Sequence, residues 1–532
     1  MNTSAARRAL VVALIVLVGA SASVATRVSA DTFPPAIGPF SVAPGPQPNS
    51  YSLAWGTGDP PAGYVFDVQL KASGNTTWTN LASGTVARGE TFTPTVLGPY
   101  ELRARLRGIA GGPNSSWSSV TLRGDWPMFR YNQQHAGMKA DPTIGASTAS
   151  HLAVKWKVLG TAFKDFWSTP AVAFNTQLHK PLVFSATVAG TITARDLATG
   201  VPVWTRSNNG PIVSSPAVFG NTVYVGTEAR NLLALDAATG ALQCKLNLSG
   251  NVLSSPVVGR IDDSGPVVFF GDSGKQDGDA GHEWAVNGVG NSRGACTKRW
   301  VFDGWKNPGP DGQRTGSWSP PALINAGVVH PRLVFGSSDP DDSVYAVDAR
   351  NGKLLWSFQS KITSNDDDVG AAPAISAPGV NGFRHGVVYV DGKDKIEYAI
   401  DLANGAKIWQ FDLKQGSGGA SANSQSGSAL VGNRVVVPYA RYVFSLDAVT
   451  GKQTWRSPAG AGSYFASPVV SGAPGDQVVI IGDASGVEHA YRFLDGTEVF
   501  QLKTGGSIYS SAAVAYGSVI FAADTGHLYA LG

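Results

Sequence analysis

One motif, repeated along the chain at related spacings, constrains the fold more than any other feature. Each copy has a small residue, Asp two positions later, Gly four positions after that, and, four positions further on, Trp or in one copy Cys244. Copies start at Ala194, Ala234, Ala346, Ala399 and Ser445. A repeat of about 40 to 50 residues is typical of propellers and solenoids, in which no single unit buries its apolar face alone. The sequence therefore predicts a repeat fold with a shared core.

Within one unit, the residues around the motif predict short antiparallel strands. Residues 215–219, 222–226 and 231–235 are rich in β-branched and aromatic side chains and are bounded by turn formers. The Asp-x-x-x-Gly segment favours a hairpin, because Asp accepts hydrogen bonds from amides ahead of it and Gly tolerates a positive φ. The Trp that follows can fill the wedge between one four-stranded blade and the next.

Counting outer strands predicts an all-β chain with an eight-bladed β-propeller. Degenerate copies start at Ala285 and Ala490, and the chain ends at Gly532, where an outer strand should follow. The segment 152–158 has the missing strand's pattern with no blade in front of it, so we expect the two ends of the propeller to pair and leave no long exposed edge. One misread unit would leave seven blades. The outer-strand positions are Trp156, Trp204, Cys244, Trp300, Trp356, Trp409, Trp455 and Phe500.

The motif resembles the tryptophan-docking repeat of the pyrroloquinoline quinone (PQQ) propeller superfamily, over about residues 125–532. The segment 125–137 is similar to the lead-in sequence of such propellers. The superfamily includes PQQ-dependent dehydrogenases and non-enzymatic relatives such as the outer-membrane assembly lipoprotein of the Bam complex. The resemblance implies a linker and lead-in at 124–150 and a propeller at 151–532, and it leaves the activity open.

The first 30 residues predict a signal peptide or, if uncleaved, an N-terminal anchor. Arg7 and Arg8 precede the apolar run 9–20, and the small residues at 28–30 favour cleavage before Asp31. No Cys follows the run, so a lipoprotein anchor is not expected. The segment indicates a secreted or cell-surface protein.

Residues 31–123 have the alternating pattern of a small β-sandwich. The stretch resembles a fibronectin type III domain. The resemblance implies that Trp55 is the core indole and that Tyr100 lies in the region of the tyrosine corner.

Net charge bears on the choice of binding partner, and the two cysteines bear on disulfide formation. The chain has a formal net charge of +3, which comes from Arg7, Arg8 and Arg27, so the rest is neutral and nothing favours nucleic acid or an anionic membrane. Cys244 and Cys296 lie in or near the outer strands of consecutive units. Two alternatives stay open for them: a disulfide, which an oxidising compartment permits, or two separately buried thiols.

Aligning the units on the Pro of each first strand predicts a ring of side chains at one mouth of the central channel. Aromatic rings with a few carboxylates there could bind a flat cofactor, a sugar or a peptide side chain, or could plug the channel as packing. Asp165 and Asp368 lie on the same strand face as this ring by alternation. The ring candidates are Trp167, Trp318, Gln425, Phe465 and Tyr509.

Other charged residues offer weaker candidates. Asp277 and Asp279 could hold Ca²⁺ from a loop, although the segment lacks the twelve-residue calcium-loop pattern. Acidic runs at 339–342 and 366–368 are expected to be solvated hairpin tips. Arg314 and Lys393 could meet an anionic ligand, and the alternative is that both lie on the surface.

Two functions remain open. A PQQ dehydrogenase of the familiar kind is expected to show two adjacent cysteines over the cofactor, a Trp beneath it, Ca²⁺ ligands and an Asp base; the adjacent cysteines and a Cys-x-x-Cys-His haem site are absent from this sequence. We therefore favour a non-catalytic scaffold for an envelope protein or cell-wall polymer. The alternative is a PQQ- and Ca²⁺-dependent oxidoreductase in which Trp318 or Trp167 stacks on the quinone and Asp368 is base or metal ligand. Converging polar groups in the channel would favour the enzyme, and a dry aromatic plug the scaffold.

Overall fold

The fold is nearly all β. The computed structural model describes residues 41–44, 51–56, 58–72, 76–92, 100–122, 124–139, 141, 143–160, 168–273, 281–306, 316–325, 328, 330–361, 367–420, 422 and 426–532. These residues include two one-turn α-helices, α1 (Ala146–Ala149) and α2 (Leu413–Gly416), and 3-10 turns at Ile109–Gly111 and Val380–Gly382. No helix in the described ranges has the length and apolar character needed to span a membrane. The predicted signal segment, 1–30, lies outside them.

Two sheets form the N-terminal part of the described chain. One has the order β1-β2-β5 and the other the order β4-β3-β6-β7, all antiparallel. Trp55 is fully buried in the core between them, as expected, and donates its indole N–H to the Ala87 carbonyl at 2.8 Å. The strands are β1 (Ser41–Pro44), β2 (Tyr51–Ala54), β3 (Tyr64–Ala72), β4 (Thr79–Thr85), β5 (Gly89–Phe92), β6 (Tyr100–Gly108) and β7 (Ser118–Leu122).

Eight further antiparallel sheets follow within the described residues, and we number them I to VIII in chain order. Two short strands precede them, β8 (Met138–Lys139) and β9 (Val154–Leu159). Sheet I contains β10 (Ala171–Asn175), β11 (Lys180–Ala186), β12 (Ile192–Asp196) and β13 (Pro202–Arg206); sheet II contains β14 (Ala217–Phe219), β15 (Thr222–Thr227), β16 (Asn231–Asp236) and β17 (Leu242–Asn247). Sheet III contains β18 (Val257–Arg260), β19 (Pro266–Gly271), β20 (Glu283–Asn287) and β21 (Thr297–Phe302); sheet IV contains β22 (Ala322–Ile324), β23 (Arg332–Gly336), β24 (Ser343–Asp348) and β25 (Leu354–Gln359).

The remaining sheets repeat this order. Sheet V contains β26 (Ala374–Ser376), β27 (Val387–Asp391), β28 (Ile396–Asp401) and β29 (Lys407–Asp412); sheet VI contains β30 (Ala429–Val431), β31 (Arg434–Tyr439), β32 (Tyr442–Asp447) and β33 (Gln453–Arg456). Sheet VII contains β34 (Val469–Ser471), β35 (Val478–Gly482), β36 (Val487–Arg492) and β37 (Glu498–Lys503), with β8 added parallel to β34. Sheet VIII contains β38 (Ala513–Ala515), β39 (Ser518–Ala523), β40 (His527–Leu531) and, as its outer strand, β9.

The sheets are arranged in a closed propeller. The first strand of each sheet contacts the first strand of the next, and β38 of the last sheet returns to β10 of the first. Strand β9 pairs antiparallel with β40, with Trp156 opposite Ala530. The predicted all-β propeller, closed by pairing of its two ends, is therefore confirmed.

The repeated Trp ties six of the eight sheets to their neighbours. Trp356 of sheet IV donates its indole N–H to the Leu402 carbonyl of sheet V at 2.9 Å, and its ring lies against Gly405 of the same turn. Gly405 has φ +75°, and a Cβ there would lie 2.8 Å from the indole. Trp156, Trp204, Trp300, Trp409 and Trp455 make the same hydrogen bond at 2.8–3.0 Å. The predicted wedge role of the indole is confirmed.

A disulfide replaces the indole between sheets II and III. Cys244 occupies the Trp position of sheet II and is bonded to Cys296 of sheet III, with a Cα–Cα distance of 5.9 Å. Of the two alternatives that the sequence leaves open, the structure has the disulfide. It joins two neighbouring sheets at the place where six other junctions have a Trp packed on a Gly.

Residues 124–139 encircle one end of the channel, and we call them the collar. The collar hydrogen-bonds to the first strand of every sheet from I to VIII. Trp126 exchanges main-chain hydrogen bonds with Val172, and its indole is fully buried. The remaining seven strand partners are Val218, Val258, Leu323, Ile375, Leu430, Val470 and Val514. The collar therefore joins the inner strands across the end of the channel.

Candidate functional site

The opposite end of the channel, where each inner strand begins, carries the aromatic residues expected from the sequence. Trp318 precedes β22 and lies so close to Gly370 of sheet V that a Cβ on this glycine would overlap the indole. Phe465 and Tyr509 precede β34 and β38, and their ring centroids are 5.6 Å apart in an edge arrangement. We call this end the mouth. Its aromatic side chains form two local groups.

Several of the predicted site residues cannot be placed. Trp167, Asp165, Arg314, Gln425, Asp277 and Asp279 lie outside the described residues. Asp368, Trp318, Phe465, Tyr509 and Lys393 lie within them.

Three carboxylates converge beside Trp318. Asp339 and Asp342 come from the connection between β23 and β24, and Asp368 comes from the segment before β26. One carboxylate oxygen from each lies within 4.8 Å of the others, and the Asp339 amide donates to Asp368 Oδ1 at 2.6 Å. Because carboxylate oxygens are the ligands that Ca²⁺ prefers, this acidic cluster could hold such an ion.

The acidic cluster is electrostatically unsatisfied. Asp342 is 3% exposed, and its buried Oδ1 has no hydrogen-bond partner among the described residues. Burial, together with the neighbouring Asp339, Asp368 and Asp367 carboxyl groups, raises the pKa of Asp342 to about 8. At neutral pH the Asp342 carboxyl group is therefore mostly protonated. A cation bound between the carboxyl groups would favour the ionised form instead.

Lys393 lies beside the acidic cluster and pairs with one of its carboxyl groups. It lies in the connection between β27 and β28, where its Nζ donates to Asp368 Oδ2 at 2.5 Å and stands 5.7 Å from the Trp318 ring centroid. Burial raises the pKa of Asp368, and the hydrogen bond from Lys393 only partly offsets it. Trp318, Asp368 and Lys393 thus bring a flat surface, an acid and a cation together.

The expected exposure of these charges is wrong. Asp341 and Asp367 are fully buried, Asp368 is 7% exposed, and Lys393 is 8% exposed, so they are neither solvated hairpin tips nor surface residues. The adjoining Asp394 is also buried; burial raises its pKa to about 6 although Tyr398 Oη donates to it at 2.6 Å. The acidic runs carry no local sign of burial, because the burial comes from two sheets meeting.

The channel beyond this cluster is also charged. Arg130 of the collar is 1% exposed and donates from Nε to the His135 carbonyl at 3.1 Å and from Nη2 to the Ser428 carbonyl. Burial lowers the pKa of Arg130 to about 9, although the carboxylates of Asp391 and Glu397 raise it. Within the described residues the channel is therefore not lined by aromatic packing alone.

A cavity of about 570 Å³ lies at the collar end, away from the acidic cluster. It is lined by collar residues and by the far ends of the inner strands of sheets I to III, including Phe174, Phe219 and Arg260. Sequence alignment of the first strands did not point to it, because that alignment marks where the strands begin.

The known proteins that resemble this chain agree with its fold and include two kinds, assembly factors and dehydrogenases. A family profile described as "Outer membrane protein assembly factor BamB" matches residues 174–275. The chain is 24% identical over 395 residues to the outer membrane protein assembly factor BamB of Moranella endobia (strain PCIT), covering 69% of this chain and 86% of the relative. It is 30% identical over 155 residues to the quinohemoprotein alcohol dehydrogenase ADH-IIG of Pseudomonas putida, covering 27% of this chain but only 21% of that enzyme.

Among solved structures, a europium-containing methanol dehydrogenase is similar, with a TM-score of 0.63 and 15% identity. The similarity covers 77% of this chain and 98% of that chain. At this identity it supports the propeller fold alone. The chain is thus similar both to an assembly factor over most of that protein's length and, in fold, to a methanol dehydrogenase.

Proposed function

We propose that this chain is an extracytoplasmic propeller that binds a metal ion and a planar acidic quinone at its mouth and acts as a quinoprotein oxidoreductase. The observation that carries the proposal is the convergence of Trp318, Lys393 and the carboxylates of Asp339, Asp342 and Asp368. Converging polar groups favour the enzyme over the scaffold.

The residues present fit PQQ with Ca²⁺ in three respects. Trp318 offers a half-buried ring for a flat molecule, and Lys393 offers a cation for its carboxylate or carbonyl oxygens. Asp342 has a buried oxygen that no described residue hydrogen-bonds. Ca²⁺ takes about six to eight oxygen ligands, so the three carboxylates would need oxygens from the cofactor and water as well. The adjacent cysteines of the familiar pattern are missing from this sequence, and so is a Cys-x-x-Cys-His haem site. The missing cysteines affect how the second face of the ring is covered.

The side chains of the cluster have separate tasks in this proposal. Bound PQQ would supply a two-electron oxidant that turns an alcohol into a carbonyl compound. Asp368, whose pKa burial raises, would accept the hydroxyl proton of the alcohol or share the metal. Lys393 would hold the anionic ligand against the Trp318 ring.

A titration of the full chain with PQQ, with and without Ca²⁺, tests the proposal through tryptophan fluorescence and melting temperature. We expect Ca²⁺-dependent quenching and a raised melting temperature, since a ligand of the folded state stabilises it. Asp342→Ala should abolish both effects. The matched control is Asp495→Asn, which removes a carboxylate from an exposed turn of sheet VII and should change neither.

A flat titration of the unaltered chain would overturn the oxidoreductase. The second candidate would then stand: a non-catalytic scaffold for an envelope protein or cell-wall polymer. It is supported by the similarity to BamB over most of that protein's length. Its test is crosslinking on intact cells, in which a single envelope partner should be recovered with the full chain.

Two further parts of the assignment are also proposals. The strand orders β1-β2-β5 and β4-β3-β6-β7 support a fibronectin type III-like domain at 31–123. An extracytoplasmic location is supported by the predicted signal segment and by the disulfide. Sequencing the N-terminus of the mature protein would decide between cleavage before Asp31 and an uncleaved anchor.

A further inference from the structure

The outward face of the four-stranded sheet in the N-terminal domain carries a ladder of alternating cations and indoles. The guanidinium carbon of Arg103 lies 4.0 Å from the ring centroid of Trp78 and 4.3 Å from that of Trp117. Lys71 Nζ lies 5.0 Å from Trp78, and the guanidinium carbon of Arg105 lies 4.5 Å from Trp117. We call these five side chains the ladder.

Strand alternation puts the ladder on one face. In β6, Leu102, Ala104 and Leu106 point into the sandwich core, so Arg103 and Arg105 point outward. Gln69 of β3 is opposite Arg103 in the antiparallel register. The ladder therefore crosses the sheet and leaves the core packing unchanged.

Arg103, at the centre of the ladder, has only a neutral hydrogen-bond partner among the contacts described. Its Nε and Nη2 donate to Gln69 Oε1 at 2.9 and 2.6 Å. The carboxylate of Asp67 is engaged by Arg107 and Arg105, at 3.0 and 3.4 Å. Burial raises the pKa of Asp67, but hydrogen bonds from Arg107 and Gly84 outweigh it, so the pKa is lowered and the carboxylate stays ionised.

The described residues of this face carry more positive than negative charge. Lys71, Arg103, Arg105 and Arg107 face only two carboxylates, those of Asp67 and Glu101. Stacking on the indoles holds the guanidinium groups in place, and a held guanidinium loses less entropy when it pairs with a carboxylate. An anionic partner is thus favoured by charge and by preorganisation.

The geometry points against nucleic acid as that partner. Single-stranded nucleic acid binds to such surfaces chiefly by stacking bases on aromatic rings. Here both indoles are in contact with two cations each, so ring surface for stacking is already taken. What remains for a partner is guanidinium N–H groups, indole edges and neighbouring polar groups such as Asn80 and Ser83.

We propose that the ladder binds a polysaccharide whose sugars carry carboxylates. Guanidinium groups pair with carboxylates through two parallel hydrogen bonds, and amides and hydroxyls on the same face suit sugar hydroxyls. The ladder is separate from the mouth of the propeller, so this inference does not rest on the quinone proposal. It gives the N-terminal domain the task of holding the propeller on an acidic glycan.

The test is titration of the full chain with polygalacturonate, with neutral dextran as the polymer control. We expect binding to polygalacturonate that weakens as salt is added, and none to dextran. Arg103→Gln should weaken binding about tenfold, as expected for loss of a charge-assisted pair. Arg103→Lys keeps the charge without the planar group and should give an intermediate loss of about threefold.

The matched control is Arg88→Gln, which removes one positive charge from the same domain but away from the ladder, where Arg88 pairs with Asp59 at 2.8 Å. It should leave binding unchanged. Equal losses for Arg88→Gln and Arg103→Gln would overturn the ladder as the site. Absence of binding by the unaltered chain, or equal or tighter binding of polyglutamate or single-stranded DNA, would overturn the acidic polysaccharide. If Arg103→Gln fails to fold, binding of the unaltered chain to the four polymers still decides whether the partner is an acidic polysaccharide.

Discussion

The two ends of the propeller channel are held together differently. At the collar end, main-chain groups of residues 124–139 make most of the bonds to the inner strands, as Trp126 does with Val172 and Gln133 does with Leu323. At the mouth, ionisable side chains meet at short distance, and in the part of the chain that the structure describes the buried Oδ1 of Asp342 has no hydrogen-bond partner. The collar end is held mostly by backbone hydrogen bonds, with side-chain donors from Arg130, Gln133 and Lys139, whereas the mouth is built from converging carboxyl groups.

This difference separates stability from function. A satisfied hydrogen bond contributes a net stabilisation of about 0.5–1.5 kcal/mol, whereas a buried polar group without a partner costs about 1–3 kcal/mol. A chain under selection for stability alone would not keep Asp342 beside Asp339 and Asp368. The collar also has buried polar atoms without a partner among the described residues, at Trp126 Nε1, Arg130 Nη1 and His135 Nδ1, so an unpartnered atom alone does not mark a ligand site. The mouth differs because three carboxyl groups with a raised pKa at Asp342 converge there, as expected of a site that a ligand completes.

The largest effect should come from breaking the collar. Trp126 is fully buried and packs against Tyr131 with ring centroids 5.2 Å apart. Trp126→Ala should lower the free energy of unfolding by about 3–5 kcal/mol, as large-to-small core substitutions do. The matched change at the mouth, Trp318→Ala, removes a ring that is only half-buried and should cost roughly less than half as much. Denaturant unfolding of both variants measures the two losses of unfolding free energy. Equal losses would contradict the predicted difference between the collar and the mouth.

A second test removes the disulfide between sheets II and III and leaves both ends of the channel unaltered. Replacing Cys244 and Cys296 together by Ser removes a bridge that spans 52 residues of sequence. The free energy of unfolding should fall by about 2–4 kcal/mol, because the unfolded chain is no longer constrained. Reducing the unaltered protein with a thiol should give the same loss. Ligand binding at the mouth should be unchanged in either case. A loss of binding would show that the geometry of the mouth depends on the disulfide.

The fold could be predicted from sequence because its signals are local and repeated. Asp196 accepts hydrogen bonds from the amides of Ala198 and Thr199, and Gly200 has φ +72°, as the Asp-x-x-x-Gly spacing predicts. The path of the collar could not be predicted in this way. Main-chain hydrogen bonds place no demand on side-chain type, so a segment that touches every sheet leaves no periodic pattern.

The candidate site was predicted only in part. Trp318 and Asp368 were found by aligning the first strands. The acidic run that contains Asp339 and Asp342 predicts solvated side chains, but the burial of Asp342 depends on the packing of sheet IV against sheet V. Proximity between residues of different blades is set by the ring, and a single sequence does not reveal it.

A third, smaller effect should appear at the mouth as a dependence on pH. The pKa of Asp342 is about 8 in the folded protein and near 3.8 when unfolded, so its contribution to stability is full below about pH 4 and is lost as pH rises through 8. Asp342→Asn keeps the shape and removes the titration. At pH 8 without added metal the variant should be more stable by about 1–3 kcal/mol. At pH 4 the two proteins should unfold together, and a gain at pH 4 equal to that at pH 8 would rule out titration as the cause.

The smallest effect on stability, and the most selective for the mouth, should come from Gly370→Ala. The backbone at Gly370 does not have a positive φ, so Ala fits its conformation, but the new Cβ would overlap the Trp318 ring and displace it. Because the indole is half-buried and can move outward, the free energy of unfolding should change by less than about 1 kcal/mol. Ca²⁺-dependent PQQ binding should fall at least tenfold, since the flat surface would be lost while the carboxylates stay. Gly58→Ala, at a position with open space around the added Cβ, is the control and should alter neither quantity. Unchanged PQQ binding by Gly370→Ala would show that PQQ does not stack on the Trp318 ring.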